Sequence, residues 1–409
     1  MQTLAIDGGT PVRTEPLYYG RQWIDEEDIA AVAEVMRSDF ITCGPKVAEL
    51  ERTLCAYTGA KHAIAVNSGT AALHAAVFAA GIGEGDEVIT TPLTFMASAN
   101  CALYVGAKPV FADIDPETYQ IDPDSIEARI TERTKAIVAV DYAGEVVDAE
   151  RIRAICDKHH LVFIEDAAHA IGSKHNGKRT GSYADITCFS FHPVKTVTSG
   201  EGGAVLTNND AYAKRAMLFR SHGIERDAGE IAAELYDDVT DAERGDMSYV
   251  TDQPLLGYNY RMPDLNAALL LSQMKKLDRF IARRKELVAR YDEAFKDLPQ
   301  IALQKSPAWS DAARHLYTIR LVPERISCSR AGFFAAMEAE NVVCQVHYMP
   351  TYRFTHYRNL GYQKGSCPVA EETYAWLMSV PLYPKLTDAE VSDVITAVRK
   401  VTNHFRRET

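Results

Sequence analysis

The sequence has few cysteines and none of the cysteine patterns that bind metal ions. Its 8 cysteines include no pair separated by two residues, and their spacing matches no zinc-binding pattern. Cys101, Cys156, Cys188 and Cys344 stand among apolar residues, so they are predicted to be reduced thiols that pack as small core residues. No metal site is therefore predicted.

Targeting signals, membrane spans and excess positive charge are also missing. The first residues have neither a basic start nor a long apolar stretch. No apolar run approaches the about 18 residues of a membrane span, so we expect a soluble, cytoplasmic protein. The formal net charge of -12 at pH 7 disfavours general binding to nucleic acids or anionic membranes. Cations that hold an anionic substrate must be local exceptions.

What the chain does contain is a regular alternation of strands and helices. Its 409 residues are 47% hydrophobic, enough for more than one core. Short apolar strands are predicted at 63–66, 87–91, 109–114, 136–141 and 162–165, with helices at 71–80, 95–105, 124–130 and 149–160. This order indicates an α/β protein with a mostly parallel sheet covered on both faces. Strands 187–191 and 204–207 have no room for a crossover helix between them, so they are not expected to be parallel neighbours.

The remaining segments predict a second, smaller domain. Helical spacing is found at residues 26–38, before a break at Gly44-Pro45, and one long helix is predicted from 263 to 295. Strands at 318–322 and 344–347 alternate with helices near 330–339, 369–378 and 387–404. We expect a large α/β domain over residues 1–262, including the N-terminal helix, and a connecting helix with an α+β domain over 263–409. Residues 225–252 are acidic and irregular and are predicted to form an exposed insertion.

Polar residues at the strand ends are the candidates for chemistry, because ligands of open α/β sheets bind at the carboxyl edge. Residues 67–70 begin an alanine-rich helix whose free N–H groups can hold a phosphate, although Ser68 alone is equally typical of a helix cap. Asp166 ends a strand and can keep a pyridine nitrogen protonated, but strand-end Asp residues also bind metals. Lys195 follows a strand and precedes a glycine-rich loop. Desolvation there would make it a nucleophile, whereas most loop lysines are simply solvated.

The order of these residues along the chain is more specific than any one of them. Residues 165–169 (EDAAH), 189–195 (FSFHPVK), 200–203 (GEGG) and 257–262 (GYNYRM) resemble the nucleotide-sugar aminotransferase family of the DegT/StrS type. The resemblance extends from Gly44-Pro45 to residues 381–384. Within the family, residues 90–95, 141–144 and 346–350 are most similar to the pseudaminic-acid pathway transaminases, which aminate a UDP-linked 4-keto-6-deoxy sugar.

The resemblance implies the aspartate-aminotransferase type of fold (fold type I), with pyridoxal 5'-phosphate as cofactor. Lys195 would carry the cofactor as a Schiff base and then move the proton, and Asp166 would pair with the pyridine nitrogen. The other implied cofactor contacts are His169 near the ring, Phe95 on its face, Ser68, Gly69, Thr70 and Ser190 at the phosphate, and Asn259 from the neighbouring subunit. A homodimer with shared active sites follows.

The implied reaction transfers an amino group from L-glutamate to a nucleotide-linked keto sugar, as in deoxy amino sugar and polysaccharide biosynthesis. Arg261, Arg314, His315 and His347 are the candidates for holding the nucleotide, while His159, His160 and His192 are expected to be structural or surface residues.

Two alternatives stay open: a sugar dehydratase on the same fold, and a non-catalytic regulator that binds pyridoxal phosphate. Lys195 disfavours the first, because the dehydratases have His there. The acidic charge and the absence of a helix-turn-helix disfavour the second. Residues 225–252, longer than in the most similar relatives, are expected near the sugar-nucleotide entrance.

Overall fold

The computed structural model describes residues 3–227 and 251–407. Most of the predicted acidic insertion therefore lies outside the described residues. Its two described ends are paired, because Glu225 and Asp252 exchange backbone hydrogen bonds of 2.9 and 3.1 Å. No helix in these two ranges is long and apolar enough to cross a membrane. Cys101, Cys156, Cys188 and Cys344 are buried and free, as predicted.

The helices and strands follow one another along most of the chain. The helices are α1 (Glu26–Met36), α2 (Pro45–Thr58), α3 (Gly69–Ala79), α4 (Ala97–Tyr104), α5 (Pro123–Glu127), α6 (Ala149–His159), α7 (Asp210–Arg220), α8 (Asp264–Met274), α9 (Leu277–Phe295), α10 (Arg330–Ala339), α11 (Thr355–Asn359), α12 (Pro368–Trp376) and α13 (Asp388–His404). The strands are β1 (Leu17–Tyr18), β2 (His62–Val66), β3 (Glu87–Thr90), β4 (Lys108–Phe111), β5 (Thr134–Val140), β6 (Val162–Asp166), β7 (Lys174–His175), β8 (Lys178–Arg179), β9 (Ile186–Ser190), β10 (Gly203–Thr207), β11 (Ile301–Leu303), β12 (Ser310–Asp311), β13 (Tyr317–Leu321), β14 (Val342–Val343) and β15 (Leu377–Val380).

A seven-stranded sheet organises the larger part of the described chain. Its order is β2-β10-β9-β6-β5-β3-β4. The neighbours from β9 to β4 are parallel, whereas β10 runs antiparallel to both β2 and β9. The mostly parallel sheet was predicted from the sequence, and β9 and β10 are not parallel neighbours, as expected. The parallel strands end at a common edge, where Asp166 and Ser190 are the last residues of β6 and β9.

A second core lies in the C-terminal part of the chain. Apolar residues of α9, α10 and α13 pack there with β13 and β15, and the N-terminal Leu4 and Leu17 join them. Strand β1 pairs with β14 in parallel, so the start of the chain is attached to this second core. The domain division at residue 262 stays a prediction, and this N-terminal attachment is a feature that the sequence did not indicate.

Several elements differ from the sequence prediction. The single helix expected at 263–295 is two helices, α8 and α9, which are separated at Lys275 and Lys276. Helices α2 and α7 were not predicted. Helix α2 was missed because only the Gly44-Pro45 break was recognised, and proline at a first helical position was not read as a helix start. The predicted strand at 344–347 is reduced to a bridge between Gln345 and Ser379. The helix expected at 124–130 covers only Pro123–Glu127.

The break between α8 and α9 is occupied by a buried cluster of charges. Lys276 is 5% exposed, and its ammonium lies 3.0 Å from the carboxylate of Asp28, which is fully buried in α1. Gln273 donates a 2.7 Å hydrogen bond to the same carboxylate. Asp25, the N-cap residue of α1, also pairs with Lys276. The cluster therefore joins the N-terminal helix to the junction of the two later helices.

Replacing Lys276 by Met should destabilise the protein strongly. The buried carboxylate of Asp28 would lose its cation, and breaking a buried pair in this way costs about 3–5 kcal/mol of the free energy of unfolding. Thermal unfolding measures the effect. Lys275→Met is the matched control, because Lys275 is exposed and should tolerate the change. Equal unfolding temperatures for the two variants would show that the cluster is not important for stability.

Candidate active site

A cavity of about 450 Å³ opens at the carboxyl edge of the seven-stranded sheet. Most of the residues predicted for the site line it: Ser68, Gly69, Thr70, Phe95, Asp166, His169, Ser190, Lys195, His315 and His347. They come from strand ends, helix starts and loops that are far apart in sequence. The structure therefore brings the predicted phosphate, ring and lysine positions together in one cavity.

The start of α3 forms one wall of the cavity and has the features of a phosphate site. Ser68 is its N-cap residue and accepts a 3.1 Å hydrogen bond from the amide of Ala71. The amides of Gly69 and Thr70 belong to the first turn, where no intrahelical acceptor exists. A Cβ atom on Gly69 would lie 2.8 Å from the Cβ of Ser190, so only glycine fits between helix and strand. The wall thus presents free amides, hydroxyl groups and the positive end of a helix.

Asp166 lies at the end of β6, where it is buried and hydrogen-bonded. The hydroxyl of Ser98 donates to its Oδ2 at 2.6 Å, and the amide of Ala168 donates to its Oδ1 at 3.2 Å. Burial raises the pKa of Asp166, while these two bonds and the charge of Lys195 oppose the rise. A cationic partner placed against this carboxylate would lower its pKa again. The site therefore suits a protonated ring nitrogen.

Lys195 lies in the loop between β9 and β10, and its backbone amide donates to the carbonyl of His192 at 2.9 Å. Burial lowers the pKa of Lys195 to about 8, although the negative charge of Asp166 acts in the opposite direction. A lysine with a lowered pKa has a larger share of neutral amine at physiological pH than a solvated lysine has. That neutral amine is the form that attacks an aldehyde.

His169 is held in one orientation by two hydrogen bonds. The amide of Ala143 donates to its Nδ1 at 3.3 Å, so the proton of the neutral ring is on Nε2, which lies 3.3 Å from the hydroxyl of Tyr348. Burial keeps the pKa of His169 well below its usual value, and the charge of Lys195 lowers it further. His315 lies next to it, with 4.4 Å between the ring centroids. Both rings are therefore neutral at pH 7.

Phe95 is 52% exposed and presents its ring to the cavity. Its nearest aromatic partner is Tyr348, with the ring centroids 6.3 Å apart in an edge-on arrangement. One face of the Phe95 ring is thus left for another flat group. Hydroxyl and amide donors at α3, the carboxylate of Asp166, the amine of Lys195 and this ring together fit pyridoxal phosphate.

Three predicted residues lie elsewhere in the chain. Asn259 does not line the cavity, and its carbonyl accepts a 3.4 Å hydrogen bond from the side chain of Asn67. Arg261 lines a different cavity, of about 780 Å³, together with Cys43. Arg314 pairs at 2.5 Å with the buried carboxylate of Glu145, so its charge is already neutralised. The predicted roles of Asn259 and Arg261 therefore depend on a second subunit.

Several residues that line the cavity were not predicted for the site, among them Ser98, Tyr348, Tyr19, Thr94, Glu201 and His192. His192 was expected to be a structural or surface residue. Ser98 is the second residue of α4, and Tyr19 lies near the N-terminus. No sequence signal at either position points to a site. Tyr348 could have been found, because it stands inside one of the stretches used for the resemblance.

Comparison with known proteins agrees with this geometry. Residues 22–399 match the DegT/DnrJ/EryC1/StrS aminotransferase family. The chain belongs to this family. It is 39% identical over 394 residues to SpsC, a spore coat polysaccharide biosynthesis protein of Bacillus subtilis, with 95% of this chain and 98% of SpsC covered. It is 40% identical over 392 residues to the uncharacterized protein MJ1066 of Methanocaldococcus jannaschii, with 94% and 97% covered.

Solved aminotransferase structures have the same fold. The superposition on Helicobacter pylori PseC, an aminotransferase involved in the biosynthesis of pseudoaminic acid, has a TM-score of 0.86 at 33% identity and covers 96% of this chain and 100% of PseC. Spr1654 of Streptococcus pneumoniae, assigned as a sugar aminotransferase, gives a TM-score of 0.86 in its PLP form at 31% identity, with 95% and 99% covered. The aminotransferase fold predicted from the sequence is confirmed.

The family membership answers the questions of chemistry that the sequence left open. The chain is a sugar aminotransferase that depends on pyridoxal phosphate, with a sugar substrate and an amino donor. Neither alternative, the dehydratase or the non-catalytic regulator, is supported. The individual roles of the site residues stay predictions.

Lys195 and His169 should differ sharply in their effect on turnover. Lys195→Ala should abolish it, because the amine that bonds the cofactor and moves the proton is lost. His169→Ala should slow turnover by about tenfold, the effect of losing one or two neutral hydrogen bonds. For both variants, the rate of turnover with the amino donor is measured, and borohydride reduction shows whether the cofactor is trapped on the protein. Turnover or a trapped adduct in the Lys195→Ala protein would contradict the assignment.

Proposed function

We propose that the protein transfers the amino group of L-glutamate to a UDP-linked 4-keto-6-deoxy-hexose, in the cytoplasm, as a step in the biosynthesis of a deoxy amino sugar. The observation that carries the proposal is Lys195, an amine with a lowered pKa, in the same cavity as Asp166 and the helix start of α3. The similarity to PseC and SpsC supports an amino sugar product destined for a polysaccharide.

Bound pyridoxal phosphate supplies an aldehyde and a ring that can store an electron pair. Lys195 would hold that aldehyde through its neutral amine, and the same amine would take up and return the proton at the reacting carbon. Ser68, Gly69, Thr70 and Ser190 hold the phosphate. General acid–base work of this kind contributes about 10²–10⁴-fold to the rate.

Asp166 and the groups around it keep the ring in its reactive form. The carboxylate of Asp166 holds the ring nitrogen protonated, and Ser98 orients the carboxylate through the 2.6 Å bond to Oδ2. Phe95 packs on one ring face, while His169 lies near the ring without adding a charge. The charges of Lys195 and Asp166 thus lie together in the cavity, where electrons are to move.

The nucleotide must be recognised largely without charge from the cavity histidines. Burial lowers the pKa of His347 to about 3, and it keeps the pKa of His315 well below its usual value. Both rings are therefore neutral hydrogen-bonding groups at pH 7. Arg261 is the remaining cation among the predicted substrate residues, and in the proposal it reaches the diphosphate of the neighbouring active site.

A homodimer is part of the proposal, because Asn259 and Arg261 lie outside the cavity of their own chain. Three large apolar side chains of this region are exposed: Leu256 is 77% exposed, and Tyr258 and Met217 are each 43% exposed. Exposed apolar patches of this kind are typical of protein interfaces. A twofold axis would bring this surface of one subunit to the cavity of the other.

The substrate assignment predicts a clear preference among keto sugars. With L-glutamate as donor, a UDP-linked 4-keto-6-deoxy-hexose should be aminated much faster than its dTDP-linked counterpart or a 3-keto isomer. Mass spectrometry of the amino sugar, with coupled detection of 2-oxoglutarate, measures the rates. Faster amination of a dTDP-linked sugar would replace the proposed substrate and leave the transaminase chemistry intact.

Shared active sites predict complementation between two defective variants. Lys195→Ala and Asn259→Ala should each be impaired as purified dimers. After unfolding, mixing and refolding together, one site of each mixed dimer is intact, so activity should recover to about a quarter of wild type. Lys195→Ala refolded with Lys195→Ala is the control. No recovery in the mixture, at equal yield of dimer, would show that the cavity is complete within one chain.

A further inference from the structure

Two buried carboxyl groups lie directly behind Asp166, on the opposite face of the sheet. In the register of β5 and β6, Ala139 pairs with Glu165 and Val140 with Asp166. Because side chains alternate along a strand, Glu165 points away from the cavity that Asp166 lines. Asp141 follows β5 by one residue and lies on the same face as Glu165, within hydrogen-bonding range of it.

Both carboxyl groups accept hydrogen bonds, and neither has a cationic partner among the described residues. Oε2 of Glu165 accepts from the amide of Gly181 at 2.8 Å and from the hydroxyl of Thr187 at 3.0 Å. Oδ1 of Asp141 accepts from the amide of Val147 at 3.1 Å, whereas its Oδ2 is buried without a partner. No ion pair within residues 3–227 and 251–407 includes either group. A proton on Oδ2 of Asp141 would satisfy that atom by donation to Glu165.

We propose that Asp141 keeps a proton and donates it to Glu165, and that this acid pair is a positioning device for the active-site cavity. Two adjacent carboxylates, both more than nine-tenths buried, cannot both be ionised without a cation. Burial is the main cause that raises the pKa of Asp141 well above its usual value and that of Glu165 to about 7. Asp141, whose pKa is raised more strongly, is therefore the proton donor.

The pair reaches the cavity through the loop that follows Asp141. Its bond to the amide of Val147 closes residues 141–147 into a compact turn. Within that turn the amide of Ala143 donates to Nδ1 of His169, and the hydroxyl of Tyr142 donates to the carbonyl of His347 at 2.5 Å. Asp141 therefore fixes the turn that contacts the ring of His169 and the backbone of His347.

The protonation state of the acid pair also determines the charge behind Asp166. The charged groups near it are Asp166, with Lys195 beyond it across the sheet, and Glu145 on the same loop, which Arg314 neutralises. Helix α6 covers this face with Ala149 and Ile152, which carry no charge. As pH rises through about 7, Glu165 becomes ionised. The negative charge added there favours the protonated state of the groups in the cavity.

The direction of the pH effect on stability follows from the raised pKa values. A carboxyl group whose pKa is higher in the folded than in the unfolded state stabilises the fold at low pH and loses this contribution as pH rises through the folded value. The unfolding temperature of wild type should therefore fall through about pH 7. In Glu165→Gln this part of the fall should be missing.

Four variants of the cofactor-loaded protein test the pair. Asp141→Asn keeps a donor toward Glu165 and an acceptor for Val147, and Asp141→Leu has neither at similar volume. Glu165→Gln cannot ionise. Asp113→Asn is the matched carboxylate control, since Asp113 accepts from backbone amides of α12 away from the cavity. For each we would follow unfolding temperature, the pH titration of the visible cofactor band, and kcat and KM for the amino donor.

Asp141→Asn should stay within about threefold of wild-type kcat, whereas Asp141→Leu should lose at least about tenfold. Glu165→Gln should flatten both the unfolding profile and the cofactor titration near pH 7, and Asp113→Asn should leave both unchanged. The proposal is overturned if Asp141→Asn is as impaired as Asp141→Leu, or if Glu165→Gln keeps both wild-type pH profiles. The effect on kcat rests on the proposed function. The unfolding and absorption profiles need no sugar substrate, so a wrong substrate would leave them intact.

Discussion

The electrostatic interaction of Lys195 with Asp166 in one cavity is the interaction on which the site depends. Asp166 is buried and Lys195 is half-buried, and each shifts the pKa of the other toward its charged form. Burial acts against both charges and is the larger effect on each. The amine therefore has a larger neutral fraction at neutral pH than a solvated lysine has, and a protonated ring nitrogen would give the carboxylate a cationic partner. A parallel sheet makes this possible, because its carboxyl edge gathers strand ends at one place.

The reversed strand β10 closes the cavity that the parallel strands open. After the loop of Lys195, the chain returns as β10, which lies between β9 and β2. Gly203 therefore lies opposite both Ser190 and Val66. A Cβ atom on Gly203 would lie 2.4 Å from the carbonyl oxygen of Ser68, so glycine is required for this close approach. The same strand thus anchors both ends of the lysine loop and sets its distance from the phosphate-binding helix.

The sequence predicted those parts of the site that follow directly from local patterns. Asp166, Lys195 and the start of α3 stand where a strand ends or a helix begins, and their order along the chain was specific. Ser98 could not be predicted, because its role comes from the packing of α4 against β6. The break at Lys276 was missed for a similar reason: both helices have apolar spacing, and the buried partner that explains the break, Asp28, is far away in sequence.

The electrostatics of the cavity are consistent with the proposed binding of a cofactor phosphate and a sugar nucleotide by an acidic protein. Burial removes charge from His169, His315 and His347, and Glu145 neutralises Arg314. In the proposed function, the phosphate would be bound by neutral donors at a helix start, which hold an anion without adding a cation that would compete with Lys195 for Asp166. In the proposed homodimer, cationic contacts with a nucleotide diphosphate would come from the second subunit, away from the reacting atoms. This separation would leave Asp166, the proposed partner of the ring nitrogen, without cations other than Lys195 and the ring itself.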